Sequence, residues 1–460
     1  MELNQIILQQ NQTIAEFKEQ LNKNSQNSSK PPSSDGPGKA TTKSLRKPSG
    51  KKAGGQKGHR GVTLSVVYEP DEVISHMPRE CAGCPQFESC LGKARTGETR
   101  HVVDAVIETH VVAHKALVIE CCPVNGDHKK AAFPEEIKGA VQYGENLQAL
   151  AVALNTVGAV SMNRTREILS GVFGIPISTG TICAMVSRLA AKVKDVVESI
   201  RQKMADSAIG HFDETGARVD GKTYWVHNAS NDEYTYLTIN RKRGYEGMEA
   251  AGVLPAFKGV AVHDCWASYW KYTNILHAIC CAHLLRELIG VEENHPEQTW
   301  PRAFIELLLA MKKAKEKAAK VGKAELSAYY HRKFDKLYEE TLETAFRQNP
   351  YQEPTEKKRG RKKRGKILAL VDRLKAYKAS VCLFINNFTV PFDNNQAERD
   401  IRMIKTKMKV SGCFRSTEGA ADYLLVMSYV GTAKKHGFNA FDAIRRAISG
   451  NPEFLLSRGA

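Results

Sequence analysis

Between residues 205 and 290 the chain switches repeatedly between two hydrophobic periods, and that order constrains the fold more than any other feature. Residues 208–212, 224–226 and 234–239 read as strands, and these three fit an antiparallel meander. A helical stretch precedes a fourth strand at 260–263. A fifth, Ala278-Ile279-Cys280, leads into a helix starting near His283. Strands bury one face and helices one stripe, so such a run must lay a mixed sheet with helices packed on it. The predicted fold class is therefore multidomain α/β. Asp213 follows the first apolar run and Asp264 the fourth, each at an expected strand end.

The rest of the chain divides around this segment. Residues 1–24 place Ile7, Ile14 and Leu21 seven apart, with Leu3, Gln10 and Phe17 on a second row, as in a short coiled coil; a lone helix would show the same row. Residues 25–61 are rich in Ser, Pro, Gly and Lys and form a basic linker. Residues 62–135 combine a Cys cluster with β-type runs at 102–107, 111–112 and 117–119. Residues 140–204 carry helical spacing, including 162–172, then Gly174 to Gly180 as breaker and cap, then a helix from Thr181. Helix, Gly-containing turn, helix is the pattern of a helix-turn-helix DNA reader, and any helical bundle can show it. Arg188 and Lys192 lie on the polar face of the third helix. The segment 205–290 is followed by a helical insertion, 291–390, with the basic run 357–366. Residues 391–447 return with a helix carrying Glu398, and 448–460 form a tail.

Charge narrows the partner. The formal net charge is +17 in 460 residues, which favours a polyanion: DNA first, an acidic membrane surface second. No run of about 18 apolar residues suggests a membrane span, and no long basic amphipathic helix with an aromatic face suits a membrane surface. With no secretion signal, the expected location is the cytoplasm, on the nucleoid. The 11 Cys are then expected as thiols or metal ligands, not disulfides.

Phosphodiester chemistry needs an activated oxygen nucleophile and a stabilised leaving oxygen. Two Mg²⁺ ions (or Mn²⁺), about 3.5–4 Å apart, supply both, and a few carboxylates on rigid elements suffice to hold them. Glu398 near a helix start would complete a set with Asp213 and Asp264. Asp393 or Asn394 can cap that helix, and Asp393 with Gln396 resembles a capping box. Arg402 and Lys405 share a face with Glu398, where cations would hold substrate phosphate. Read singly, each acid suits an ordinary salt-bridged surface.

The joint context adds to this reading. Asp213-Glu214-Thr215 ahead of Arg218 to Lys222, His263-Asp264-Cys265-Trp266, Cys281-Ala282-His283 with Arg286, and Asn394-Asn395-Gln396-Ala397-Glu398-Arg399 through Lys409 to Gly412 resemble the insertion-sequence 66 family of DDE transposases. So do Asn27-Ser28-Ser29-Lys30-Pro31-Pro32 and the block from Gly54 to Gly61. The resemblance implies an RNase H-like catalytic domain, interrupted by an all-α insertion. It implies the triad Asp213, Asp264 and Glu398, which would hold Mg²⁺; the expected DNA contacts, read from the residues themselves, are Arg402, Lys405 and Lys409 on the helix of Glu398 and Arg188 and Lys192 on the third helix. It implies a DNA transposase that cuts element ends and joins their 3′-OH to double-stranded target DNA; because two ends must be processed together a homo-oligomer is expected, while the sequence leaves open whether accessory proteins of the same element take part. The strand and helix order over 205–290 is itself that of an RNase H-like sheet.

Two departures stand out. Cys265 occupies a position where Gly is one common form. The zinc-ribbon-like part has its first pair, Cys81 and Cys84, but continues as Cys121-Cys122-Pro123-Val124-Asn125, with Asn125 where a thiolate is expected. A structural Zn²⁺ needs four N or S ligands. Cys81, Cys84 and Cys122 give three; Cys90, Cys121 or His128 is left as the fourth, or the segment is a metal-free relic. A nuclease that only hydrolyses and an inert DNA-binding protein are the rival functions.

Overall fold

The computed structural model describes residues 7, 10, 13, 14, 17–28, 71–81, 83–103, 105, 107–121, 123, 124, 127–351 and 365–452. The chain forms two compact units, one made of Ser44–Ala113 and the other of Met1–Lys43 with His114–Ala460. In the smaller unit a 3₁₀ turn, Arg79–Cys81, precedes a short helix α1, Phe87–Leu91. The strands expected at 102–107 and 111–112 are absent among its described residues, and Val102, Val103, Ile107, Val111 and Val112 are exposed. Alternation alone makes no strand without a neighbour to take up its N–H and C=O groups. In the larger unit, among the described residues of this region, β1, Val118–Ile119, and β2, Lys129–Lys130, form a single antiparallel ladder.

The large unit is mixed α/β. Its sheet has the order β5-β4-β3-β6-β7. The strands are β3, Ile209–Val219; β4, Lys222–Ser230; β5, Thr235–Asn240; β6, Val260–His263; and β7, Leu276–Ile279. The first three are antiparallel neighbours, and β6 and β7 add on in parallel. Asp220 and Gly221, both at positive φ (47° and 70°), make the β3–β4 turn, a conformation that Asp-Gly tolerates and that matches strand twist.

Three helices precede the sheet: α2, Glu145–Asn155; α3, Met162–Phe173; and α4, Thr179–Ala205. Gly174 at φ 64° ends α3, and Ser178 caps α4 by accepting from Thr181 N, so the turn between them is written in breaker and cap. One face of α4, from Ile182 through Ile200, is buried against Val426, Tyr429 and Val430. Those three belong to α13, Thr417–Lys435, which precedes α14, Ala440–Ile448. A short helix α5, Tyr245–Ala251, links β5 toward β6, and α6, Cys281–Asn294, leaves β7. Then come the helices of the insertion: α7, Trp300–Lys320; α8, Ala328–Gln348; α9, Lys366–Ala376; α10, Lys378–Val381; and α11, Leu383–Asn386. Trp300, Phe304, Leu308, Tyr338 and Val371 form their core. The chain returns as α12, Asn395–Ser411, which lies against β3 and β4.

The described residues between 7 and 22 are helical, and Ile7, Ile14, Phe17 and Leu21 are exposed. The turn that follows seats on α6. Asn27 Nδ2 donates to Glu293 Oε2 at 2.7 Å and Asn22 Nδ2 to Asn294 Oδ1 at 3.1 Å. Gly290 permits this approach, since a Cβ there would stand 2.4 Å from Asn27 O. Among the described residues no helix is long and apolar enough to cross a membrane.

Candidate active site

The parallel ladder between β3 and β6 ends at His211 opposite Val262. Two residues further along both chains stand Asp213 and Asp264, so the register places the two aspartates side by side beyond the ladder's end. Asp213 itself is not at a strand end as expected, because β3 runs on to Val219 by pairing with β4, Asp213 opposite Asn228. Asp264 does end its strand. Its Oδ1 accepts from Trp266 N at 2.9 Å, and Cys265 between them has φ 70°. That left-handed conformation is the physical reason a glycine suits this position, and a side chain there carries a strain of about 1 kcal/mol.

Glu398 arrives from the far end of the insertion, in the first turn of α12. Asn394, 1% exposed, fastens it in place. Its Nδ2 donates to Phe212 O at 2.8 Å, beside Asp213. Its Oδ1 accepts from His211 Nδ1 at 2.8 Å, and burial holds that imidazole below its usual range, neutral. Its backbone N–H points at Cys280 Sγ, 3.2 Å away, at the junction of β7 and α6. Asn394 thus ties the strand of Asp213, the element after Asp264 and the helix of Glu398. The expected capping box is not formed. Asp393 Oδ1 accepts from Asn395 N at 3.1 Å, while Gln396 turns to Asp400. Asn394 is committed to tertiary bonds, so it has no side chain left to cap.

The three carboxylates share one electrostatic field. Burial first, then Asp264 and then Glu398 push the Asp213 carboxyl up to about 7, against the Glu214 N–H and Arg243. Glu214 is pushed up to about 8, by burial and then by Asp213 and Asp264, while the Tyr269 hydroxyl that donates to it works the other way. On α6, His283 Nε2 lies 3.8 Å and Arg286 Nη1 3.7 Å from Glu398 Oε1. Arg243 Nη2 lies 3.9 Å from Asp264 Oδ2. Lys405, partly desolvated, feels the Asp213 charge; Arg402 and Lys409, also on α12, are exposed. Arg188 and Lys192 are far from bare: Arg188 Nη2 donates to Gln148 Oε1 at 3.3 Å and Lys192 to Ile448 O.

A dication has suitable donors here. The three carboxylates are hard oxygen ligands, and Glu398 Oε1 is buried without a hydrogen-bond partner. The set is not closed, however: among the described residues no group of three or more His, Cys, Asp or Glu is arranged to hold a metal ion. The same holds for zinc. Cys81 and Cys84 are free thiols, and Cys122 and Asn125 lie outside the described residues.

His283 and Arg286 stand in one of the sequence blocks that carry the resemblance, but sequence reasoning missed Arg243 and the roles of Asn394 and Glu214. The Arg241-Lys242-Arg243-Gly244 run after a strand was the available signal for the first. For Asn394 there was none, since its partners are remote in sequence.

Residues 140–422, more than half of the chain and inclusive of all three carboxylates, match the family model described as Transposase IS66 family. Residues 2–65 match one described as Family of unknown function (DUF6444). No curated protein matches the chain.

Proposed function

We propose, from the premise that this chain belongs to the IS66 family of transposases, that Asp213, Asp264 and Glu398 are its catalytic carboxylates and that it cuts DNA at element ends and joins the freed 3′-OH to target DNA. The observation that carries this is the convergence of two aspartates beyond one parallel ladder with a glutamate returned from the other side of an insertion. The sheet order supports an RNase H-like catalytic domain. The family implies DNA processing and DNA binding; the acid set is the place where processing would occur.

In the first step a water oxygen forms a bond to phosphorus as the P–O3′ bond breaks, leaving a 3′-OH. In the second, that 3′-oxygen forms a bond to a target phosphorus as the target P–O3′ bond breaks, its proton passing to the released target 3′-oxygen, and no covalent protein–DNA intermediate is needed. A divalent cation on Asp213, Asp264 and Glu398 would supply Lewis-acid stabilisation of charge on the phosphate oxygens. The chain's own groups position the strand. Lys405, which feels the Asp213 charge, presents a cation toward the acids, and Arg402 and Lys409 continue a row of cations along α12 at helical spacing from Glu398. His283 and Arg286 hold Glu398 at the cleft edge. The α3–turn–α4 unit supports a helix-turn-helix reading of DNA ends. The exposed row Ile7, Ile14 and Leu21 supports a short coiled coil that would join copies.

The test is cleavage and joining on DNA carrying the element's own ends, with Mg²⁺ or Mn²⁺. Joined products support the transposase reading over a simple nuclease. Persistent absence of cutting, with DNA binding intact, would instead identify an inert DNA-binding protein.

A further inference from the structure

The loop 241–244 carries three cations in a row between β5 and α5. Its backbone is fixed from two sides. His227 Nε2–H donates to Lys242 O at 3.1 Å, and Lys242 N donates to Asn240 Oδ1 at 2.8 Å. The packing requires glycine at 247, where a Cβ would lie 2.1 Å from Lys242 O and 2.6 Å from His227 Nε2. Arg241 and Lys242 face solvent. Arg243 instead passes between two indoles, its guanidinium carbon 4.1 Å from the Trp266 ring centre and 5.0 Å from that of Trp225.

This guanidinium is held but not used. Its ion pairs are long, 3.9 Å to Asp264 Oδ2 and 3.5 Å to Glu214 Oε2, and it makes no hydrogen bond among the described residues. A side chain serving only as a counter-ion would turn its donors onto those carboxylates. The two indole rings hold the guanidinium instead, 4.1 and 5.0 Å from their centres, and leave the side chain 35% exposed. A planar fork of N–H donors matches a phosphate with two parallel bonds, and ring faces hold such a plane by cation–π attraction.

We infer that Arg243 grips a DNA backbone phosphate beside the catalytic carboxylates, with Trp225 and Trp266 holding its guanidinium plane for that contact. The inference rests on the transposase reading and names one of its DNA contacts. It also assigns the two indoles a role that neither core packing nor base stacking alone gives them.

Phenylglyoxal, which modifies exposed guanidinium groups, tests this on the full-length protein, with labelling read at each Arg by peptide mass spectrometry. The probes are a mixed-sequence DNA duplex, the corresponding single strand, and Mn²⁺ alone. Arg243 is expected to label in the free protein and to be protected by DNA. Mn²⁺ alone, drawing on Asp264, is expected to leave it reactive. Arg243→Gln is expected to weaken DNA binding about tenfold and to lower the salt dependence by about one phosphate contact. Arg243→Lys is expected to keep that salt dependence, because it keeps the charge. DNA that binds yet leaves Arg243 labelled, or an Arg243→Gln variant with unchanged salt dependence, overturns the inference. If protection is seen while Asp213→Asn still cuts, the catalytic assignment falls and the Arg243 contact stands.

Discussion

Replacing Asn394 by Ala removes two buried hydrogen bonds without touching a carboxylate. The bonds lost are those to Phe212 O and from His211 Nδ1, both 2.8 Å long; the backbone contact to Cys280 survives. Each bond leaves a partner stranded in the interior, at about 1–3 kcal/mol apiece. The sum is about 2–6 kcal/mol, a large part of the stability a domain has. The second effect falls on the site. Asn394 precedes α12, and its O accepts from Glu398 N, so loosening it moves Glu398 relative to Asp213. A displacement of about 1 Å can cost about a hundredfold in rate. The variant should unfold several degrees lower by circular dichroism and cut DNA about a hundredfold more slowly, with binding of duplex DNA unchanged. Asn395→Ala, one residue on and exposed, should change neither. Asn394→Asp keeps the acceptor for His211 but turns an oxygen on Phe212 O, so it should rescue little. An Asn394→Ala protein that melts and cuts like the parent would refute the reasoning, since the three elements would then be held by other contacts.

Glu398→Gln should abolish cutting and leave DNA binding largely intact, as read by gel cleavage and fluorescence anisotropy; equal loss of both would mean misfolding. Asp213→Asn should stabilise the metal-free protein at pH 8. The wild-type carboxyl, pushed up to about 7, binds more protons folded than unfolded, so its burial weakens the fold as pH rises from about 4 to about 7, by at most about 4 kcal/mol. The advantage of the variant should vanish near pH 4; a melting difference that ignores pH would contradict this. Gly247→Ala should lower the melting temperature and slow cutting together, because its Cβ would meet Lys242 O at 2.1 Å and displace the loop of Arg243. Unchanged melting would show that the loop yields.

The strands and helices were legible where periodicity is local. The five strands and the helices around residues 162 and 181 emerge from apolar spacing, caps and breakers, and β3 was cut short only because the polar stretch from Asp213 onward pairs with β4 at positions the alternation does not mark. The acids were legible as individuals, and their grouping came from resemblance. Pattern reading cannot see that Asn394 spends its side chain on Phe212 and His211, since that bond closes across the whole insertion. Nor can it see that Arg243 stands between Trp225 and Trp266, which come from a strand and from the turn after Asp264. The β-type runs at 102–112 misled because a strand needs a partner as well as a pattern.

The insertion that separates Asp264 from Glu398 also sets the order in which the parts come off the ribosome. β3 to β7 emerge first and can pair among themselves, and the helices α7 to α11 then gather their own core. Glu398 follows only after all of them. With the three acids as the catalytic set, any chain interrupted within that interval carries two of them and lacks the helices α12 and α13 that cover the sheet, and it is unable to cut the DNA from which it is being expressed. Completion of the protein and arming of its chemistry are the same event.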